Sequence, residues 1–429
     1  MPRESWIRKI FLLLVIGLIG ARLVLPARAN SAGSYEPGQV VAKLAPGLDA
    51  TIDVINQAYG TTTLDSLYNH PDIFLLQVPD NTSPEQLAQL MTADPRLAYA
   101  EPNYFMENPE SGSTDRIYGW GGYDSGQYTG QDATVRMNLA DAQSYSRGDG
   151  VVIAILDSGV QLDHPELADS LALTGFDFVD GDPVPAEEAN GLDDDGDGQI
   201  DEGYGHGTHV AGIAHLVAPS AQLMPLRVLN SDGRGNDFRT ADAILYAAYN
   251  GAEVINLSLG TLYPSSLLQD AVNESARMGA VVVAAAGNLN SQAALYPAAG
   301  PCAIAVASVD NHDKKSSFSS FGDWIGVVAP GENIYSTFPV SGYAWWSGTS
   351  MSTPFVAGQA ALLRSLGPDL SLDQIGRLIG GTADQIDNKN PDYRGLLGKG
   401  EIDILASLQS QAAGDYPPAD SNLYSSCQP

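Results

Sequence analysis

The sequence predicts two folded domains: a doubly wound α/β domain, with a mostly parallel sheet and helices on both faces, preceded by a small α+β domain. Two observations predict the larger domain. Near-continuous apolar runs, typical of strands buried on both faces of a sheet, lie at residues 151–156, 223–229, 254–257, 281–286 and 304–309. Helical patterns separate these runs, as at residues 240–250 and 266–278, and such alternation indicates an α/β fold.

The smaller domain is expected to end before Pro109. Strands are predicted at residues 40–43, 62–67, 73–78 and 97–100, and helices at residues 52–59 and 84–91. The second helix has the start signal of a capping box, with Ser83 as N-cap, Pro84 as the first helical residue, and Gln86. The resulting order, β-α-β-β-α-β, is ferredoxin-like. Pro102 and Pro109 interrupt the pattern that follows.

The chain is strongly acidic. Its 429 residues contain 51 Asp and Glu against 21 Lys and Arg, a formal charge of −30, and 44% of the residues are hydrophobic. The hydrophobic content supports a large core and argues against global disorder. A polyanion of this size is repelled by phosphate backbones, so nucleic acid is not expected as a partner, whereas divalent cations are attracted.

The N-terminus has the pattern of an export signal. Basic residues precede an apolar run at residues 10–21, and Ala29 ends a small-residue cleavage site. We therefore expect a signal peptide at residues 1–29 and a secreted product, either extracellular or periplasmic. The alternative is a membrane anchor, but Arg22 ends the run well short of the ~20 apolar residues that span a bilayer.

The two cysteines give little information. Cys302 lies in an apolar stretch and Cys427 lies in the C-terminal tail. A disulfide between them would form only in an oxidising compartment, and the sequence favours a buried thiol at Cys302 while leaving the pairing open. The tail contains Pro, Ser and Gln and is expected to be ordered only where it docks.

Three segments place reactive side chains beside glycines. Asp157 ends a predicted strand in the run VIAILDSG, His206 begins a predicted helix in GHGTHVAG, and Ser350 precedes an apolar helix in GTSMSTP. Each has a structural explanation when taken alone: a turn, a hydrogen-bonding group and a helix cap. Together they supply a hydroxyl nucleophile, an imidazole that accepts and returns its proton, and a carboxylate that fixes one tautomer of that imidazole.

These segments resemble the Asp, His and Ser boxes of the subtilase family of serine proteases, in the same chain order. The resemblance runs from about residue 149 to residue 363 and implies a subtilisin-like fold. It assigns Asp157 the orienting role, His206 the role of general base and Ser350 the role of nucleophile. It also selects His206 over His209, a choice that the chemistry alone leaves open. The implied reaction is peptide-bond hydrolysis through an acyl-enzyme.

Asn288 closes a further run, AAAGN, that follows a predicted apolar strand. This run resembles the oxyanion segment of the family. The resemblance implies that the side-chain amide of Asn288 and the backbone N–H of Ser350 hydrogen-bond the developing oxyanion. In subtilisin, removal of one such donor lowers kcat about 10²–10³-fold. An Asn in a glycine turn is common elsewhere, but here it accompanies the three other matches.

The run INLSLG resembles the substrate-binding strand of the family. Its last three residues would pair with an extended peptide as an added strand, and small residues of the oxyanion segment would complete a roomy pocket. The substrate-binding residues implied in this way are Ser258, Leu259, Gly260, Ala285, Ala286 and Gly287. Neither run contains an acidic residue, which predicts broad specificity with an apolar or neutral side chain before the cleaved bond.

The small N-terminal domain resembles the inhibitory propeptide of the family. The implied organisation is a signal peptide at residues 1–29, a propeptide at 30–110, a subtilisin-like catalytic domain at 111–410 and a tail at 411–429. The propeptide would act as an intramolecular inhibitor of a zymogen. Protein or peptide substrates are the other expected partners, and the enzyme is expected to be a monomer.

The run DDDGDGQIDE, just before His206, predicts a calcium site. It fits the pattern D-x-D-x-D-G-x-x-D, in which alternate carboxylates and one main-chain carbonyl surround a hard cation. The predicted ligands are Asp193, Asp195, Asp197, Gln199 through its carbonyl, and Asp201. Tyr204 stands where an EF-hand has its Glu, so the loop is not an EF-hand, and the alternative is a solvated acidic turn. The calcium loop that follows the His box in many relatives is not found, and no organic cofactor is expected.

Two other functions agree with parts of the sequence. An inactive relative acting as a binding protein would not require Asp157, His206, Ser350 and Asn288 to be intact. A lipase or esterase of the α/β-hydrolase type would require G-x-S-x-G and the order Ser, Asp, His. The run GTSMS lacks the second glycine and the order differs. A fluorogenic peptide and a fatty-acid ester, assayed side by side, would separate these functions.

Overall fold

The structure, a computed structural model, describes residues 34–47, 50–110, 119–424 and 426–427. The predicted signal peptide, residues 1–29, lies outside the described residues. Within the part of the chain that is described, no helix combines the length and the apolar character that crossing a bilayer requires.

The N-terminal domain has the predicted ferredoxin-like order. Its elements are β1 Tyr35–Leu44, α1 Ile52–Tyr59, β2 Thr62–Ser66, β3 Ile73–Gln77, α2 Pro84–Thr92 and β4 Leu97–Glu107. The strands form an antiparallel sheet in the order β2-β3-β1-β4. Both helices contribute to its core, which includes Ile55 and Met91. Helix α2 begins as predicted, since the Ser83 side chain accepts a hydrogen bond from the Gln86 N–H.

Strand β4 is longer than the sequence predicts. It was expected to stop at residue 100, yet it continues through Pro102 to Glu107. Proline has no N–H to donate and is tolerated where the ladder does not need one, and Pro102 pairs in register with Val40. Beyond it, β4 pairs with a strand of the larger domain. The prediction failed because the pairing partner lies about 130 residues further along the chain, as the register Phe105↔Asn236 shows.

The larger domain contains the predicted apolar strands and helices, together with further strands that were not predicted. Its strands are β5 Gly119–Gly122, β6 Val152–Asp157, β7 Phe176–Asp177, β8 Gln222–Arg227, β9 Arg234–Asn236, β10 Val254–Leu257, β11 Val281–Ala285, β12 Ala303–Val309, β13 Val327–Pro330, β14 Ile334–Phe338 and β15 Gly342–Trp346. Its helices are α3 Ser125–Thr129, α4 Asp132–Arg136, α5 Leu139–Ala142, α6 His206–Val217, α7 Asp237–Tyr249, α8 Ser266–Arg277, α9 Thr349–Leu366, α10 Leu372–Thr382 and α11 Ile404–Ala413.

A seven-stranded parallel sheet organises this domain, in the order β13-β12-β11-β10-β6-β8-β7. Helices α6 and α9 contribute to the hydrophobic core on one face, and α7 and α8 to the core on the other. Burial on both faces explains the continuous apolar runs of the sequence. Because parallel strands end at the same edge, residues that follow β6, β10 and β11 are brought together there.

The two cysteines form a disulfide, Cys302–Cys427. Cys302 is buried as predicted, but the prediction of a buried free thiol was wrong. The C-terminal tail folds back onto the hydrophobic core, and Cys427 packs against it. The sequence could not show this pairing, because it depends on where the tail docks, 125 residues from Cys302.

Candidate active site

Asp157 and His206 meet at the carboxyl end of the parallel sheet. Asp157 is the last residue of β6 and His206 is the first residue of α6. Both side chains are almost fully buried, and His206 Nδ1 lies 2.7 Å from Asp157 Oδ1. Gly207 permits this approach, since a Cβ there would collide with the carbonyl oxygen of Gly159. The carboxylate therefore holds the imidazole by Nδ1, which leaves Nε2 for chemistry.

The second histidine of the motif has a different environment. His209 is fully buried, and its Nε2 lies 3.2 Å from the carbonyl oxygen of Ile334 and 3.1 Å from that of Ala344. Burial lowers the pKa of His209 to about 3, so the ring is neutral and donates to these carbonyls. His209 contacts main-chain carbonyls rather than Asp157, whereas His206 has the carboxylate partner that a general base requires.

Ser350 and Asn288 are brought together by the start of α9. Ser350 is the second residue of that helix, and Asn288 lies in the turn after β11. The N–H and the hydroxyl of Thr349 both donate to Asn288 Oδ1, at 3.0 Å each. These two bonds fix the orientation of the Asn288 amide and direct its NH₂ group away from Thr349.

Glu110 occupies the point on which these groups converge. Its Oε2 accepts a hydrogen bond of 2.8 Å from Ser350 Oγ and lies 3.1 Å from His206 Nε2. Its Oε1 accepts a hydrogen bond of 2.9 Å from Asn288 Nδ2. The sequence analysis missed Glu110, because no local motif marks this residue between the two domains.

The charge of Glu110 changes the state of His206. Burial alone would lower the pKa of His206, but Asp157 and then Glu110 outweigh it and raise the pKa to about 10. At neutral pH the ring is therefore an imidazolium between two carboxylates. An imidazolium has no lone pair with which to accept a proton, so in this state His206 cannot act as a base toward Ser350.

A further carboxylate, Glu187, hydrogen-bonds both the segment that follows β6 and the start of α6. Its Oε1 accepts a hydrogen bond of 2.8 Å from Ser158 Oγ. Its Oε2 accepts from the N–H of Thr208, at 3.0 Å, and from the Thr208 hydroxyl, at 2.9 Å. Burial raises the pKa of Glu187 to about 7, and hydrogen bonds from Gly205, Ser158 and Thr208 limit that rise. Glu187 thus ties the residue after Asp157 to the first turn of α6.

The predicted substrate strand lies beside Ser350. Ser258 donates through Oγ to the carbonyl of Ser350, at 2.9 Å, and Ser350 Oγ lies 3.3 Å from the carbonyl oxygen of Ser258. Glu107 exchanges two main-chain hydrogen bonds with Gly260, of 3.0 and 2.9 Å. The other predicted pocket residues, also buried, are Leu259, Ala285, Ala286 and Gly287. The first segment therefore lies beside the candidate nucleophile, and Gly287 of the second donates its N–H to the hydroxyl of the neighbouring Thr349, at 3.0 Å.

The acidic loop brings together three of its predicted ligands. One carboxylate oxygen of each of Asp193, Asp195 and Asp197 lies within 4.8 Å of the others. Gln199 contacts this group, since its N–H and its side-chain amide both donate to Asp197. Asp201 lies apart, where its carboxylate accepts N–H groups of residues 190 and 191.

A second acidic group adjoins the first and was missed in the sequence. Asp195, Glu202 and Asp232 also have carboxylate oxygens within 4.8 Å of one another. Both Glu202 oxygens are buried and have no hydrogen-bond partner among the described residues. Burial and the nearby charges of Asp232, Asp197 and Asp195 raise the pKa of Glu202 to about 7. Three clustered carboxylates, one of which accepts no hydrogen bond at either oxygen, are a set of ligands that fits a hard cation such as Ca²⁺.

Comparison with known families agrees with this geometry. Residues 148–400 match the subtilase family, Peptidase S8. The chain belongs to the subtilase family. Residues 24–103 match a second description, the fervidolysin N-terminal prodomain. The resemblance drawn from the motifs is thereby confirmed, and so is the subtilisin-like fold with a separate small domain before it.

Curated relatives include proteases of bacterial origin. The subtilase is 43% identical to thermitase of Thermoactinomyces vulgaris over 284 residues, which are 64% of this chain and 94% of thermitase. It is 37% identical over 370 residues to the thermophilic serine proteinase of Bacillus sp. strain AK1, covering 83% and 85% of the two chains. It is therefore a subtilisin-like serine endopeptidase that carries an N-terminal prodomain.

Solved structures give the same fold. Fervidolysin from Fervidobacterium pennivorans, described as a keratinolytic enzyme related to subtilisin, superimposes with a TM-score of 0.69. The match covers 88% of this subtilase and 61% of fervidolysin at 23% identity, and it bears on the fold alone. A cold-adapted subtilisin-like serine proteinase superimposes with a TM-score of 0.53 at 34% identity, covering 59% and 89% of the two chains.

Proposed function

We propose that this subtilase is a secreted endopeptidase made as a zymogen, with Asp157, His206 and Ser350 as its catalytic triad and Asn288 in its oxyanion hole. One observation carries the proposal. The Ser350 hydroxyl, His206 Nε2 and Asn288 Nδ2, from three separate elements, all contact the single carboxylate of Glu110 within 3.1 Å. Groups that converge on one pair of oxygens are arranged to stabilise a reaction centre at that position.

The proposed reaction begins when a substrate carbonyl takes the place of the Glu110 carboxylate. His206, neutral once Glu110 has left, removes the proton of Ser350, and the freed oxygen attacks the carbonyl carbon. Asn288 and the backbone N–H of Ser350 stabilise the oxyanion. His206 returns the proton to the leaving amine, and the C–N bond breaks to give an acyl-enzyme. A water molecule, activated in the same way, then releases the carboxylic acid and restores Ser350.

The prodomain is proposed to be an intramolecular inhibitor. Its last strand continues into the cleft, where Glu107 pairs with Gly260 and Asn108 donates to the carbonyl of Gly233. Glu110 then places its side chain, rather than a peptide bond, between Ser350 and Asn288. The proposed organisation remains a propeptide at residues 30–110, a catalytic domain at 111–410 and a tail at 411–429.

The specificity is proposed to be broad, with an apolar or neutral residue before the cleaved bond. The pocket walls formed by residues 258–260 and 285–287 carry no charged side chain. An ionised side chain placed there would lose its water without gaining a partner, which is unfavourable. Apolar side chains lose less on the same transfer.

Calcium is proposed to bind at the acidic loop. Asp193, Asp195 and Asp197 would supply carboxylate oxygens, joined by the carbonyl of Gln199, as the loop pattern predicts. Asp201 stays in the proposal as a ligand that would have to leave its present main-chain donors. When bound, the cation would neutralise like charges and hold the loop that precedes α6.

Export is proposed from the signal-like residues 1–29, with an extracellular or periplasmic destination and a monomeric enzyme. Expression in a secreting host, followed by N-terminal sequencing of the precursor, tests the cleavage after Ala29. A precursor that keeps its first residues and stays with the membrane would support an anchor instead. Light scattering of the mature enzyme tests the monomer.

Ser350→Ala is the decisive test of the catalytic proposal. The wild-type precursor should lose its N-terminal domain in purified solution, and the variant should persist at the mass of the uncut chain, because its nucleophile is gone. Ser352→Ala is the matched control, since that hydroxyl is also buried in α9 but donates to the carbonyl of Ala329. The control should mature like the wild type. A purified Ser350→Ala chain that still cuts itself would contradict the assignment.

A further inference from the structure

The last residues of the prodomain lie in the cleft in the way expected of a bound peptide substrate. Main-chain hydrogen bonds hold the segment from Phe105 to Asn108 on both sides. On one side, Phe105, Met106 and Glu107 pair in antiparallel register with β9. On the other side, Glu107 exchanges two bonds with Gly260. A substrate bound as an added strand would have the same two neighbours.

The register identifies each position relative to the cleaved bond. Antiparallel pairing of Glu107 with Gly260 places residue 109 opposite Ser258. The carbonyl of Ser258 lies 3.3 Å from Ser350 Oγ, so residue 109 corresponds to the substrate residue whose carbonyl is attacked. Glu107 then corresponds to the third residue before the cleaved bond, and Phe105 to the fifth.

Arg234 contacts both of these side chains. Successive residues of a strand point to opposite faces, and Met106 is fully buried, while Phe105 and Glu107 share the other face. The Arg234 guanidinium carbon lies 3.5 Å from the centre of the Phe105 ring, and Arg234 Nε lies 3.7 Å from Glu107 Oε1. One guanidinium thus stacks on an aromatic ring and faces a carboxylate, two roles that its planar cation combines.

We propose that Arg234 makes this endopeptidase select peptides with an acidic residue at the third position and an aromatic residue at the fifth position before the cleaved bond. The proposal rests on the endopeptidase function proposed above. It adds a side-chain preference outside the pocket for the residue at the cleaved bond, and it assigns that preference to one cation.

Other charged side chains lie near Arg234 and Glu107 and reduce the expected preference for an acidic residue. Partial burial raises the pKa of Glu107, Arg234 opposes that rise, and Asp195 and Asp197 add to it. Arg234 also lies near enough to Asp195 to oppose the rise of its pKa. The acidic loop therefore repels an acidic substrate side chain that Arg234 attracts, and a cation bound to the loop would reduce the repulsion. The assay should contain millimolar calcium for this reason.

The test uses the mature enzyme and fluorogenic peptides that differ at one position. The third position before the cleaved bond carries Glu, Gln or Lys, and the fifth carries Phe or Ala. At low ionic strength the wild type should have a kcat/KM about five- to tenfold higher for Glu than for Lys, the size of two exposed charge interactions. It should favour Phe over Ala about threefold, as expected for an exposed cation–π contact.

Two variants assign these preferences to Arg234. Arg234→Glu should reverse the order to Lys over Glu. Arg234→Lys should keep the preference for Glu and lose most of the preference for Phe, because an ammonium does not stack as a planar guanidinium does. If Arg234→Glu does not mature, because it faces Glu107 of its own prodomain, the double variant Glu107→Lys with Arg234→Glu restores an opposite pair and should mature.

The outcomes are distinct. Equal ratios of kcat/KM for Glu and Lys peptides in the wild type and in Arg234→Glu would overturn the proposal, and so would a wild type that prefers Lys. Loss of the difference at 1 M salt in the wild type supports it, since the Glu107 side chain is half-exposed and salt can screen its charge. An enzyme that cleaves none of the peptides would instead count against the endopeptidase function itself.

Discussion

The carboxylates around His206 and those of the acidic loop lie in different surroundings. Asp157, Glu187 and Glu110 accept hydrogen bonds from N–H or O–H groups, or lie against the ring nitrogens of His206. In the loop, Asp193 and Asp197 accept N–H groups of the loop itself and face one another.

Carboxylates in these two regions depend on different partners. An enclosed carboxylate without a partner is costly. Near His206 the protein supplies partners for one oxygen of Asp157 and for both oxygens of Glu187 and Glu110, so their positions are fixed by tertiary structure. In the loop, like charges are left close together, and we propose that a cation supplies what the protein does not. The first region should respond to substitution and pH, and the second to chelation.

The largest effect is expected from pH on maturation. Against the lowering effect of burial, Asp157 and then Glu110 raise the pKa of His206 to about 10 in the precursor, so the neutral base becomes available only as pH rises toward that value. The first-order rate of self-cleavage should rise about tenfold per pH unit from pH 7, flattening near pH 10. Intact-mass measurement of the precursor over time gives this rate.

The stability that the contacts of His206 contribute falls over the pH range in which the maturation rate rises. Because the folded pKa of His206 lies above the unfolded value of ~6.5, its contacts with the two carboxylates contribute stability that is complete below pH ~6.5 and lost as pH rises through about 10. In the mature enzyme, once Glu110 has left the active site, kcat/KM should instead show its acid limb near pH ~6–7. A precursor that matures at one rate from pH 7 to pH 10 would contradict the role given to Glu110.

The next largest effect is expected at Glu187. Glu187→Ala removes the acceptor of the Thr208 N–H and the nearer acceptor of the Ser158 hydroxyl, so the segments that carry Asp157 and His206 lose a shared anchor. A displacement of His206 by a fraction of an ångström to 1 Å should lower kcat about 30- to 100-fold, with little change in KM. Steady-state kinetics on a peptide substrate measure both constants.

Glu187→Gln is the matched control. Its amide oxygen can still accept from Thr208, so kcat should stay within about threefold of the wild type. Burial raises the pKa of Glu187 to about 7, so much of the wild-type side chain is already uncharged over the acid limb, and Gln should leave the position of that limb almost unchanged. If Gln and Ala lower kcat equally, the hydrogen bonds to Thr208 do not position His206 and the role given to Glu187 is wrong.

Glu110→Ala should have a smaller effect, on maturation. The substitution frees Ser350, Asn288 and His206 from one carboxylate. At pH 7.5 the precursor should mature at least about tenfold faster than the wild type, and Glu110→Gln should lie between them, since its amide oxygen can still accept from Asn288. Slower maturation of Glu110→Ala would mean that Glu110 positions the segment for cutting rather than blocking it.

The smallest effect is expected from chelation. A ligand at about 100 times its Kd stabilises the native state by about 2.7 kcal/mol, so excess chelator should lower the Tm by roughly 5 °C. The double substitution Asp195→Ala with Asp197→Ala should remove this sensitivity. Asp141→Ala with Asp169→Ala, two exposed carboxylates outside the loop, should keep it. An unchanged Tm in the wild type would contradict the calcium proposal.

Local sequence patterns determined many of the secondary-structure elements of this protein. Asp157 at a strand end, His206 at a helix start and the Ser83 cap were predicted at positions where the structure has those elements. The order of strands and helices in the N-terminal domain and the five apolar strands of the larger domain were also predicted, whereas β5, β7, β9 and β13 to β15 were not. These features depend on residues close together in the chain, where periodicity and capping chemistry act over a few residues.

Only the tertiary structure decided the remaining contacts. Glu110 reaches His206 across 96 residues, Glu187 reaches Ser158 across 29, and Cys427 reaches Cys302 across 125. Such partners leave no local pattern, because the chain path between them sets the contact and their neighbours in sequence do not. The motifs therefore indicated the residues of the proposed catalytic site, while the carboxylates that contact them were determined by how distant segments pack.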